Sequence, residues 1–291
     1  MHDLLPVIAA GIVSGSAYAL LALGIVIIFR STDTVNFAIG DIATLAAFIA
    51  SGLMASRFPA GSVLVVTILV SGILGVVSER TLIRPLGHRV DGMFVALVIT
   101  IGLGLLIHAG IFGIWGTRPR SVEPLVDGAA NVFGIALSLN KIVAAGIALL
   151  AMLAVAWFFK ATPFGTMIRA TADDPSAARM IGIDTNRVCA VAWFLGCGLA
   201  GIAAFFLASE ASLNANLTLS ALFRAFAGVF LGGLTSMVGA VVGGLCIGVL
   251  DNLAASYVSA SFRDTVVFTT IVIVLFLRPS GFLGVARKAR V

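Results

Sequence analysis

Thr162-Pro-Phe-Gly-Thr-Met-Ile-Arg-Ala-Thr-Ala-Asp-Asp-Pro-Ser-Ala-Ala-Arg-Met-Ile-Gly-Ile-Asp184 stands between two apolar stretches, 138–160 and 188–209. In a chain this poor in charge, its reading decides whether the protein is a self-contained bundle or one part of a larger machine. Asp173-Asp174-Pro175 is a helix-start signal, because an Asp oxygen can accept from the free N–H groups of a first turn and Pro has no N–H to leave unmet there. Ser176 to Ile181 then reads as a short helix, and Gly182 suits its end. Ala177, Ala178 and Ile181 recur at helical spacing as a small-residue face, with Arg169, Asp173, Asp174 and Arg179 as a polar rim. Two readings stay open on these residues alone: a knob that docks another protein, or a solvated loop with an incidental cap.

Outward from this interval the chain is written for a bilayer. It has 291 residues, 60% hydrophobic and 11% charged, with a mean hydropathy of +1.15, far from the roughly 25% charge of a soluble domain. A spanning helix needs about 20 mostly apolar residues. Breaking the sequence at charges and Pro/Gly clusters leaves nine candidates: about 4–29, 34–56, 61–83, 92–115, 138–160, 188–209, 218–234, 238–256 and 262–280. The seventh is short, carries Arg224, and is not expected to cross fully. The start Met1-His2-Asp3-Leu4 lacks the basic n-region of a signal peptide, so the first segment is expected to be a retained helix.

Charge orients the chain. Arg30, Arg80, Arg84, Arg89, Lys160, Arg169, Arg179, Arg187, Arg278, Arg287, Lys288 and Arg290 fall on one side, against Arg57, Arg118, Arg120, Lys141 and Arg263 on the other. The positive-inside rule makes the first side cytoplasmic. Nine crossings then put the N-terminus outside and the C-terminus inside; a re-entrant hairpin over 218–256 gives seven with the same ends. A loose echo between Ile42–Ser51 and Leu199–Ser209 leaves internal duplication open. Gly11-x-x-x-Gly15 and Gly239-x-x-x-Gly243 predict close helix packing.

Several chemistries lack their residues. A P-loop needs a Gly-Lys pair to reach phosphates, and Lys141, Lys160 and Lys288 follow Asn140, Phe159 and Arg287. Cys189, Cys197 and Cys246 form no Cys-x-x-Cys and read as small buried hydrophobes. His2, His88 and His108 are scattered, and no nucleophile–base or metal-ligand cluster is visible. Nucleotide-driven work would have to come from a partner.

Ser14-Gly-Ser-Ala-Tyr-Ala-Leu-Leu-Ala-Leu-Gly24, Asn36-Phe-Ala-Ile-Gly-Asp41, Arg84-Pro-Leu86, Arg169-Ala-Thr-Ala-Asp173, Gly232-Gly-Leu-Thr-Ser236 with Gly239-Ala240, and Arg278-Pro-Ser-Gly281 occur in order along the chain. With them, the sequence resembles the membrane subunits of ABC importers, specifically the branched-chain amino acid permease group (LivH type). Ser176-Ala177-Ala178-x-x-x-Gly182 is similar to the coupling-helix pattern of that class, with Ser where the class has Glu. The resemblance implies an all-α polytopic membrane protein of about 8–9 transmembrane helices, a single permease domain over 1–291 with a cytoplasmic coupling loop at about 161–187. It implies a second permease, usually a different homologous chain, two ATPase subunits and an extracytoplasmic solute-binding protein. No cofactor is expected in this chain; ATP and Mg would be bound by the ATPases. Nucleic acid is not an expected partner. The coupling residues so implied are Gly165, Arg169, Asp173, Asp174, Pro175, Ala177, Ala178, Arg179 and Gly182.

Intramembrane polar residues are the remaining candidates, since a charge near the bilayer centre costs at least about 2.5–3.5 kcal/mol and faces protein or water. Arg224 and Asp251, in consecutive segments, either neutralise each other or line the path. Asp41, after Asn36 and Gly40, is expected to cap the second helix, the alternative being a broken helix with freed backbone groups along a cavity. Glu210 reads as interfacial. Ser14, Ser16, Tyr18 and Thr100 can offer hydrogen bonds to a zwitterion, or bond neighbouring carbonyls. The expectation is a permease in a bacterial cytoplasmic membrane that passes a small hydrophobic amino acid inward. Urea or short amides, ion-coupled transport by this chain alone, and a non-transport scaffold are the alternatives.

Overall fold

A computed structural model describes residues 4–54, 58–86, 92–132, 135–278 and 281–284. Arg57, His2, His88, Arg89, the Pro279-Ser280 pair and the basic residues 287, 288 and 290 lie outside them. Among the described residues the chain forms eleven α-helices and one two-stranded hairpin. Every apolar candidate segment carries a helix: α1 Leu4–Thr32, α2 Ile39–Met54, α3 Ala60–Ser78, α4 Gly92–Trp115 and α5 Leu139–Ala161. After the polar interval come α8 Thr185–Glu210, α9 Leu219–Gly232, α10 Met237–Tyr257 and α11 Arg263–Leu277. Helices are what a bilayer allows, because each N–H and C=O is met within its own segment. Six of them, α1, α3, α4, α5, α8 and α10, are long and apolar enough to cross a membrane.

The polar interval folds as two helices. α6, Pro163–Asp173, was not expected; α7, Pro175–Met180, is the expected short helix. Strands β1, Ala129–Val132, and β2, Ile135–Ser138, pair antiparallel in the connection between α4 and α5.

α1 and α8 form the centre. From Ala19 to Ile28 nearly every α1 side chain is buried, as in a helix apolar all round and surrounded by protein. The two helices run antiparallel: Gly24 meets Gly196, and Cys189 near the start of α8 donates its S–H to the Ser31 carbonyl near the end of α1 at 3.2 Å. Gly11 and Gly15 lie against Val249 and Leu245 of α10, and Gly239 and Gly243 meet Gly232 and Gly228 of α9, so both expected small-residue seams are used. A Cβ at Gly232 would run into the Gly239 carbonyl, which holds α9 and α10 as a tight hairpin. Phe282 N–H and Leu283 N–H bond the Leu231 and Gly232 carbonyls at 2.9 and 3.0 Å, fastening the last described residues onto it.

Three expectations change. The second segment does not run as a helix from 34; residues 34–38 are non-helical, and α2 starts only at Ile39. Its 16 residues reach about 24 Å, short of the roughly 30 Å hydrocarbon core. α9, with 14 residues, is also short. The sequence echo therefore has the wrong register. A long helix, a non-helical run and a short helix occur twice, as α1–α2 and α8–α9, whereas the echo pairs part of α2 with part of α8. The third change is Cys246, which is exposed on α10 instead of buried.

Candidate functional site

The α6–α7 elbow is built by local rules. Thr162 Oγ1 accepts from Gly165 N–H at 3.2 Å to cap α6, and Pro163 sits in its first turn. Gly165 is required sterically, since a Cβ there would meet the Phe159 backbone at 2.5 Å. Asp174 Oδ1 accepts from Ser176 N–H and Ala177 N–H at 2.9 and 3.1 Å, so Asp174 is the cap and Pro175 the first helical residue. Gly182, at φ 88°, ends α7: its N–H reaches the Arg179 carbonyl at 3.0 Å, and Ile183 N–H the Ala178 carbonyl at 3.0 Å. Those two bonds form a Schellman closure.

The outward face of α7 differs from the expected one. Ala178 is 2% exposed and packs inside the chain, whereas Met180 and Ile181 are 83% and 75% exposed. Ala177 is half-buried beside them, and Ser176 is exposed. Arg179 is not simply a rim residue, because its Nε donates to Thr185 Oγ1 at 3.0 Å. Arg169 is exposed and contacts Thr166 Oγ1 at 3.4 Å; Asp173 is exposed at the end of α6.

The elbow is tied to the core at the start of α8. Asp184 Oδ1 accepts from Asn186 N–H and Arg187 N–H at 3.1 and 3.2 Å. Arg84 grips buried Glu79 with two bonds of 3.1 and 2.8 Å and donates to the Asn186 carbonyl at 3.2 Å. Glu79 lies in a π-helical extension of α3, residues 79–83. These bonds join the base of α7 to the start of α8, and through Arg84 to the π-helical end of α3.

Inside the bundle, Arg224 of α9 and Asp251 of α10 do meet, at 2.9 Å. Asp251 has no solvent exposure, and its two oxygens also receive Arg263 of α11 and the Tyr18 hydroxyl of α1, the latter at 3.3 Å. Arg224 further donates to Asp264 at 2.8 Å and to the Ser220 carbonyl at 3.0 Å, and lies 5.9 Å over the Tyr18 ring. The sequence signalled only one pair; Arg263 and Asp264 join across twelve or more residues with no local spacing to announce them.

A second polar place lies where the short helices begin. Asn36 Oδ1 accepts from Ala38 N–H at 3.0 Å, so Asn36, not Asp41, turns the chain into α2. Asp41 in the first turn instead faces α4, 3.5 Å from His108 Nδ1 and close against Gly104. Thr100 Oγ1 donates to the Val35 carbonyl at 3.3 Å. Thr44 of α2 and Thr218 at the head of α9 share a 2.8 Å hydroxyl contact, so the starts of two antiparallel short helices converge. The non-helical run 34–38 before Asp41 agrees with the break in the broken-helix alternative of the sequence reading. Ser14 and Ser16 bond the Ala10 and Val13 carbonyls at 3.0 and 2.6 Å, yet with Tyr18 they also line a cavity between α1, α5 and α8.

Sequence relatives cover nearly the whole chain. Residues 7–277 match the family described as branched-chain amino acid transport system / permease component. The high-affinity branched-chain amino acid transport system permease protein LivH of Salmonella typhimurium is 28% identical over 94% of this chain and 93% of its own. The corresponding protein BraD of Pseudomonas aeruginosa is 27% identical, covering 94% of each chain. Among solved structures, PsaBC from Streptococcus pneumoniae overlays 94% of this chain and 92% of that one, at 12% identity and a TM-score of 0.47. With the match running from α1 to the end of α11, the chain belongs to the family of branched-chain amino acid transport permease components and is a multi-pass membrane protein.

Proposed function

We propose that this chain is one of two permease subunits of an ATP-driven importer that carries branched-chain amino acids across a bacterial inner membrane by alternating access. The observation that carries this reading is the family match over residues 7–277. The α6–α7 elbow agrees with it, presenting Met180 and Ile181 outward while Arg179, Asp184 and Arg84 connect its base to α8 and α3.

In this reading the chain is a single permease domain that hydrolyses nothing. ATP and Mg are bound by two partner ATPases, whose closure moves α7. The second permease is a different homologous chain, and a solute-binding protein delivers the amino acid to the face opposite the elbow. The C-terminus and α6–α7 are cytoplasmic, and the N-terminus is outside. Ion-coupled transport by the chain alone is disfavoured because Asp251 is already gripped by two arginines and a tyrosine, a saturated arrangement that suits structure better than proton cycling.

The test is uptake by the complex purified with its partners and reconstituted in proteoliposomes. Labelled leucine should accumulate only with ATP inside and binding protein outside, and a proton or sodium gradient should not substitute. Gradient-driven uptake without ATP would overturn the reading.

A further inference from the structure

A cavity of about 120 Å³ opens between α1, α5 and α8, at the ends of α5 and α8 far from the α6–α7 elbow. That is room for several waters. Lys141, from the first turn of α5, and Glu210, the last residue of α8, stand at this cavity with a 3.4 Å separation. That is longer than the roughly 2.7–2.9 Å of a well-made charge-assisted bond. The side chains keep 42% and 25% of their exposure, so both charges remain reachable.

The hydroxyls at the cavity have a directional bias. Ser14, Ser16 and Tyr18 spend their protons on the Ala10 carbonyl, the Val13 carbonyl and Asp251. What each can still offer is an oxygen lone pair. The site thus holds acceptors from α1 and the Glu210 carboxylate for an ammonium, and the Lys141 ammonium for a carboxylate. Val13, Ala144, Phe206 and Leu207 supply the apolar wall. The two charges are braced by their neighbours: Asn140 Nδ2 donates to Ser209 Oγ at 2.9 Å, and Asn140 Oδ1 accepts from Leu125 N–H at 3.0 Å.

We propose that this cavity is a binding station for a free α-amino acid, with Lys141 on its carboxylate, Glu210 on its ammonium and the α1–α8 wall on its aliphatic side chain. The proposal rests on the transport reading and adds the place where the solute is first held by the permease. One long ion pair is exchanged for two, and the site stays neutral with a zwitterion bound. A solute lacking either charge leaves one partner unmatched, which disfavours both an amine and a simple acid.

The experiment is leucine uptake by the whole reconstituted complex carrying Lys141→Ala, Glu210→Gln, Lys141→Arg, or the exchange Lys141→Glu with Glu210→Lys. The first two should raise the KM for uptake about tenfold or more while the complex still assembles with its partners, and Lys141→Arg should stay near wild type. The charge exchange should not restore uptake, because the zwitterion would have to enter reversed and lose its wall. Unchanged KM in the single variants, or full rescue by the exchange as for a merely structural pair, would overturn the station while leaving the transport reading intact. A wild-type complex that carries no neutral amino acid would overturn both.

Discussion

Asp251 shows what a single residue is asked to do in this membrane protein. It is fully buried yet bonded on both oxygens, by Arg224, Arg263 and Tyr18, which lock α1, α9, α10 and α11 to one point. Removing one partner from a buried ionic group costs about 3–5 kcal/mol because charge is left uncompensated. Asp251→Ala is therefore expected to lower the thermal midpoint of the purified complex and its yield, read by melting in detergent. Unchanged melting would mean the cluster is not structural. From sequence, Arg224 and Asp251 could be paired by hydropathy alone, since each is an isolated charge in an apolar segment. Arg263 and Asp264 could not, because at the edge of a segment they look like ordinary interfacial residues. The same limit hid Asp41 and His108, which lie 67 residues apart in sequence and 3.5 Å apart in the fold.

At the scale of elements, the α6–α7 elbow separates docking from packing. Met180→Glu places a charge on an 83% exposed position and should abolish co-purification of the ATPases without moving the melting temperature. Ala178→Asp, at 2% exposure, should instead destabilise the permease itself. If Met180→Glu kept the ATPases and transported normally, α7 would not be the docking element. The α9–α10 hairpin is the other test: Gly232→Ala forces the helices apart at the Gly239 carbonyl and should cost about 1–3 kcal/mol, read as lower melting. α7 was legible because Asp174, Pro175 and Gly182 act within one nine-residue stretch, through caps and a left-handed turn. α6 has an equally local start, Thr162 capping Gly165 N–H before Pro163, but its buried face of Gly165, Ile168 and Thr171 holds one large apolar side chain, so hydrophobic periodicity does not mark it. The late start of α2 escaped for a related reason: residues 34–38 are buried or half-buried, so their composition resembles a spanning helix although their backbone does not continue one.

Across the whole molecule, α1 and α8 are the enclosed axis, with 72% and 78% of their apolar windows buried, against 22% and 28% for α4 and α5. Membrane class and the positions of the apolar segments follow from hydrophobic length, so they were readable in advance. The inverted relation of α1–α2 and α8–α9 was not, because it is carried by where helices start and stop and not by matching letters. An elbow at one end and the Lys141–Glu210 cavity at the other are joined by α8 itself, from Thr185 to Glu210. This is the geometry expected if force enters at one face and solute at the other. The central claim is that the force comes from partner ATPases, and it is tested most directly by native mass spectrometry of the tagged chain, expressed from its own chromosomal setting and purified in mild detergent. The account predicts a complex containing two ATPase chains and a second permease. A folded chain that emerges alone, and still transports, would contradict it.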